Sequence, residues 1–107
     1  MSVILMEAYL VRHEKRAEYQ SSLKEFIKFK KGHPKVFEGL RSWKLLQQSY
    51  GGMANSYVEM WEFDNLPDLE NCSARLRQTK AMKKILADFY DEIDHTTFTR
   101  TIWETVA

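Results

Sequence analysis

Residues 51–70, GGMANSYVEMWEFDNLPDLE, run through a turn, a strand and the start of a helix. Gly51 and Gly52 supply the positive-φ positions that a tight link between antiparallel strands requires. The stretch SYVEMWEF, residues 56–63, has the β-branched and aromatic composition of a strand. At DNLPDLE the signals change. Asn65 or Asp64 can accept from the first free amides, Pro67 suits a first turn, and Asp68 and Glu70 complement the helix dipole. A hairpin therefore leads directly into a helix.

Working backwards, LRSWKLLQQSY at residues 40–50 is the hairpin's other strand. Before it, Ala17, Tyr19, Leu23, Phe26 and Ile27 recur at helical spacing over residues 14–31, and Gly32 and Pro34 close that helix. Residues 3–11 read as a strand with Ile4, Met6, Ala8 and Leu10 on one face and Val3, Leu5, Glu7, Tyr9 and Val11 on the other. Only Glu7 is charged there, so the strand is expected to be central and covered on both sides. Working forwards, Leu69, Cys72 and Leu76 hold one helical phase, while Met82, Ile85, Leu86, Phe89 and Ile93 hold another. The mismatch predicts a break near Gln78 and Thr79. The Thr-rich residues 96–106, TTFTRTIWETV, form the last strand.

The order β-α-β-β-α-β over a single domain, residues 1–107, predicts an α+β, ferredoxin-like architecture: a four-stranded antiparallel sheet with its helices on one face. The other face needs a cover. With Ile4, Met6, Ala8, Leu10, Val58 and Met60 assigned to the helix side, the open side carries Leu5, Tyr9, Val11, Tyr57 and Trp61, with Trp43 and Trp103 as candidates to join them. An apolar patch of that size marks an interaction surface. The expected solution is a homodimer whose two sheets face each other and close a barrel around a lumen.

Composition narrows the function. Sixteen basic against 15 acidic residues give a net charge of +1, without the cationic excess of a nucleic-acid binder. The local cluster Lys28, Lys30, Lys31, His33 and Lys35 lies where basic side chains complement a helix C-terminus. Cys72 is the only cysteine, which excludes an internal disulfide and suits a reduced, cytoplasmic setting. The N-terminal residues carry neither a signal-peptide pattern nor a membrane span.

Within this order, GGMANSYVEMWEFDNL resembles a specific signature. The chain is similar to the dimeric α+β barrel superfamily, which includes the antibiotic-biosynthesis monooxygenases, the small haem-degrading monooxygenases and the NIPSNAP family. Gly52, Asn55, Trp61, Phe63 and Leu66 fall in register on the NIPSNAP-type pattern, and Glu7 and Tyr9 match its first strand. Ala8 stands where that pattern has Arg, Glu59 where it often has His, and its Asp-Pro-Trp is missing from the second helix. The resemblance implies a dimer with a functional barrel lumen, and implies no single reaction. The haem-degrading relatives carry His and Trp in the second helix and Asn in the first strand; residues 66–93 hold neither His nor Trp, and the first strand has Glu7. Haem degradation by that mechanism is not expected.

The candidate chemistry rests on Glu7 and Glu59, carboxylates on neighbouring strands that can point to one side. In an aromatic-lined, poorly hydrated site such a group gains proton affinity and serves as a general base near neutral pH. Tyr9 is a candidate hydrogen-bond donor, and Tyr57, Trp61, Trp43 and His13 are candidate substrate contacts. The competing reading pairs Glu7 and Glu59 with Lys44 or Arg100 and makes the aromatics dimer core. The histidines show no metal-ligand spacing, and no motif calls for a cofactor or metal. The functional expectation is a small-molecule enzyme, monooxygenase-like or isomerase-like, acting on an apolar or aromatic compound; the alternative is a non-catalytic, NIPSNAP-like binding or assembly module. A roomy aromatic cavity with a buried carboxylate favours the first, and a lumen filled by Trp43, Trp61 and Trp103 favours the second.

Overall fold

The computed structural model describes residues 2–52 and 55–107. Strand β1 (Val3–Val11) runs through a short 3-10 turn (His13–Lys15) into helix α1 (Arg16–Gly32). Strands β2 (Leu40–Gln47) and β3 (Ser56–Phe63) follow, then helices α2 (Leu66–Gln78) and α3 (Lys80–Glu92), and strand β4 (Ile93–Glu104). All neighbouring strands are antiparallel, in the order β2-β3-β1-β4, so β1 is central. This is the ferredoxin-like α+β arrangement.

Local chemistry sets the boundaries. Asn55 and Gly51 adopt positive φ at the turn before β3, and the Asn55 carbonyl accepts from the Val11 amide at 2.9 Å. The part of the expected turn formed by Met53 and Ala54 lies outside the described residues. Asn65 caps α2, its side chain accepting from the Asp68 amide at 2.9 Å. The predicted break falls at Thr79, whose extended backbone ends α2 and starts α3. Its hydroxyl donates to the Arg75 carbonyl at 2.7 Å, satisfying a helix-end acceptor. Strand β4 starts earlier than its alternating pattern suggested, at Ile93, because residues 95–98 form an irregularity between the Ala8–Thr99 and Leu10–Asp94 pairs.

The face assignment made from sequence is reversed. Val3, Tyr9, Val11, Tyr57, Trp61 and Phe63 are buried with Tyr19, Phe26 and Phe29 of α1, Leu69 and Cys72 of α2 and Met82 and Ile85 of α3. The odd-numbered face of β1 and β3 therefore packs on the helices. Ile4, Met6, Ala8, Leu10, Val58 and Met60 form the open face, joined by Leu46 and Trp103 through the strand register. Trp43, which pairs with Trp61, lies on the helix side. Both faces are apolar, so polarity could not decide between them; size does. Spanning the gap between sheet and helices takes the larger aromatic side chains, and interiors fill to uniform density.

Candidate functional site

Between the odd face and the helices lies a cavity of about 760 Å³, within the range of small-molecule sites. Leu5, Tyr9, Trp43, Trp61, Phe89 and Phe98 supply much of its apolar wall. Its solvent-facing lining includes Glu70 and Arg77 of α2 and Tyr90 of α3, with Arg100 and Ile102 of β4. This candidate site is inside one chain, beneath its helices.

Glu7 and Glu59 are direct cross-strand partners, and both line this cavity. Their surroundings separate them. Arg100, the partner of Glu7 on β4, binds one Glu7 oxygen through Nε at 2.8 Å and a terminal nitrogen at 2.7 Å. Arg100 is 60% exposed and the Glu7 side chain 13%, so this pair belongs to the rim. Among the described residues Glu59 has no cationic partner. Tyr9 donates to its Oε2 at 3.0 Å and the Trp43 indole donates to its Oε1 at 3.2 Å. Burial raises its carboxyl to about 7, and the Glu7 charge adds to the rise against the opposing pull of those donors.

The Tyr9 hydroxyl is also 2.7 Å from that of Tyr19 on α1. With the Tyr9 proton directed at Glu59, Tyr19 is the donor to Tyr9. Burial drives both phenols upward, most strongly Tyr9, where the Glu59 charge adds to it. Trp61 borders the cavity, and its indole faces Glu59 closely enough to pull that carboxyl down with Tyr9 and Trp43, yet among the described residues its buried Nε1 makes no hydrogen bond of ordinary geometry. An unpaired buried donor costs about 1–3 kcal/mol, and a ligand acceptor would remove that cost. The arrangement can take a proton at Glu59, hold a flat apolar body, and offer an indole N–H.

Of the residues nominated from sequence, Glu7, Tyr9, Trp43, Glu59 and Trp61 meet around one cavity. Tyr57 is buried behind it, stacked on Tyr9 at 6.2 Å between ring centroids. His13 is a correction: it lies exposed in the 3-10 turn, outside the cavity lining, because β1 ends before it and its turn faces solvent. Tyr19 and Ser22 were missed. Tyr19 was legible only as one of the apolar stripe of α1, although a phenol on a buried stripe calls for a polar partner. Among the described residues, no three His, Cys, Asp or Glu side chains are grouped to hold a metal ion, and no helix is long and apolar enough to cross a membrane.

The same arrangement of elements recurs in solved structures. A NIPSNAP family protein from Agrobacterium tumefaciens superposes with a TM-score of 0.78 at 16% identity, covering 99% of this chain and 94% of its own. A putative antibiotic biosynthesis monooxygenase from Caulobacter crescentus gives 0.73 at 13% identity, with 99% and 91% covered. A dimeric protein of unknown function and ferredoxin-like fold from Bacteroides fragilis gives 0.66 at 13%, with 97% and 96% covered. The shared feature is the fold. No family model and no curated protein matches the chain. The first two structures bear the names of groups that the sequence resembles, and at these identities none of the three carries an activity across.

Proposed function

We propose that this chain is a small-molecule enzyme that binds an apolar, aromatic compound between its sheet and helices and uses Glu59 as the general base. The observation that carries the reading is a carboxyl brought to about 7 inside a largely aromatic cavity. A base is most useful when its proton affinity matches the working pH. Glu59 would remove a proton from an activated C–H or O–H of the ligand, leaving a delocalised anion; the Trp61 N–H, which faces Glu59 without a well-formed hydrogen bond, can turn to that anion. Return of the proton to another carbon completes an isomerisation; reaction of the anion with dioxygen is the monooxygenase-like course. Tyr9 holds and orients the carboxyl. Glu7, clamped by Arg100, raises its proton affinity from the rim.

The assembly that goes with this reading is a homodimer through the open face, in keeping with the dimeric neighbour. A reduced cytoplasmic setting suits the buried free thiol of Cys72. One observation favours the non-catalytic alternative: both Glu59 oxygens already have protein donors. Turnover of enolisable and phenolic aromatics by the parent and by Glu59→Gln separates the two, with binding followed through Trp43 and Trp61 fluorescence. The enzyme reading expects retained binding and at least a ~100-fold loss of turnover in the variant. Equal turnover by both proteins would remove Glu59 from the mechanism, and binding without turnover by the parent would favour the module.

A further inference from the structure

Glu92, the last residue of α3, is the other carboxyl held inside the molecule, and the chemistry above does not use it. It is 4% exposed, and Ser22 of α1 donates to its Oε2 at 2.6 Å. Its Oε1 is buried without a partner. It lies at the Val11 end of the central strand: the next residue, Ile93, pairs with Val11, and its carbonyl accepts from the Arg12 amide at 2.9 Å. Tyr19 precedes Ser22 by three positions, so the two project from one face of α1, and both border the cavity.

We propose that Glu92 is a second proton-handling residue of the site, linked to Glu59 through the hydroxyls of Tyr9 and Tyr19. This assignment rests on reading Glu59 as the base. A ligand that fills the cavity displaces water from Glu59, so in the oxygenase course, where the proton is not returned to the ligand carbon, that proton needs a route through the protein. Tyr9 and Tyr19 begin that route at 3.0 and 2.7 Å. Glu59 passes its proton to the Tyr9 oxygen as Tyr9 passes its own to Tyr19; Tyr19 gives its own onward, and Glu92 as carboxylate receives one. Every hydroxyl breaks one O–H bond and forms another, and no electron changes hands. The remaining gap lies along the turn from Tyr19 to Ser22. A water there would have Tyr19, Ser22 and the unpaired Glu92 oxygen as partners, the number a buried water commonly finds.

The electrostatics agree. The Glu92 charge reaches Tyr19, where it raises the phenol. Burial raises Glu92 itself, followed by the charges of Asp88, Asp91 and Glu18, while the Ser22 hydrogen bond opposes them. Lys15 is engaged by Asp91 and Arg12 by Glu14, which leaves neither cation on Glu92.

The test is the exchange of the Tyr9 and Tyr19 hydroxyl protons with solvent, followed by NMR on the intact protein, with carboxyl-labelled glutamate reporting the Glu59 titration in the same sample. Glu92→Gln keeps the shape and the Ser22 contact, and should slow hydroxyl exchange at least tenfold while Glu59 still titrates near neutrality. Ser22→Ala is the second variant, and should slow it at least threefold should Glu92→Gln fold poorly. Unchanged exchange in folded variants overturns the relay. A Glu59 that titrates in the ordinary carboxylate range overturns the base, whatever the exchange rates, so the two failures are distinguishable.

Discussion

The two faces of the sheet are both apolar, and they are apolar in different ways. The odd face pairs Tyr9 with Tyr57, Leu5 with Trp61 and Val3 with Phe63 under the helices, with Glu7 and Glu59 set between them. The even face carries Ile4, Met6, Ala8, Leu10, Val58 and Met60, without an aromatic on either central strand. Glu62 and Ser56 at the two ends of β3 and edge residues such as Trp103, 55% exposed, interrupt that aliphatic surface. Flexible and branched aliphatics suit a sheet-to-sheet contact, where two similar surfaces interdigitate. Large aromatics hold a roof at a distance and leave room beneath it. One face is built to be covered and the other to enclose.

The largest expected effect breaks the odd face. Phe63→Ala removes a side chain that is 2% exposed and should cost about 3–5 kcal/mol, measured by urea unfolding. A cost below ~1 kcal/mol would mean that the face is less firmly packed than it looks. Next, Met60→Lys on the even face should leave the fold of one chain intact while weakening a dimer by about 3 kcal/mol, the order of cost for a buried unpaired charge. Sedimentation should then report 12.7 kDa for the variant and twice that for the parent. A parent that sediments as a monomer at micromolar concentration would leave the even face without its expected partner.

The third prediction uses pH. Folding raises the Glu59 carboxyl from 4.5 to about 7, so its protonated form is favoured in the folded state. Its stabilising contribution is complete below about pH 4.5 and is lost as pH rises toward and through 7. Glu59→Gln should remove this dependence, and be about 1–2 kcal/mol more stable than the parent at pH 8, allowing for partial solvent access. Identical pH profiles of thermal unfolding would contradict the raised carboxyl. The smallest effect concerns the rim. Glu7→Gln removes the like charge facing Glu59 and should lower the Glu59 midpoint, seen by carboxyl NMR, with little change in stability because the Arg100 partner is exposed.

Much of the architecture was legible because it rests on local signals. The Asn65 cap, the Thr79 break and the hairpin each follow from a few adjacent residues whose backbone preferences agree. The direction in which β1 and β3 face is a different kind of fact. Alternation places Glu7, Tyr9, Glu59 and Trp61 on one side together, but with both parities apolar no residue within the strand says which side the helices take. For the same reason Tyr9 and Trp61 were expected to face a lumen between two chains, when they line a cavity within one. Tyr19 and Glu92 escaped notice because their partners are distant in sequence: Tyr19 meets Tyr9 and Glu59, and Glu92 meets Ser22, only after α1 and α3 lie over the sheet. The ion pair between Glu7 and Arg100 was an open alternative, and it removes Glu7 from competition as the free base.

The interruption at Thr79 has a mechanical consequence. A single long helix would roof the cavity as one stiff beam, whereas here two short plates meet at an extended residue. The first plate is fastened to the loop before β2, where Arg75 Nε holds the Val36 carbonyl at 3.0 Å, and the second rests against α1. The two helices therefore stand on different footings. Amide exchange should then find the two helices opening with different free energies, so that one plate can lift without the whole core loosening.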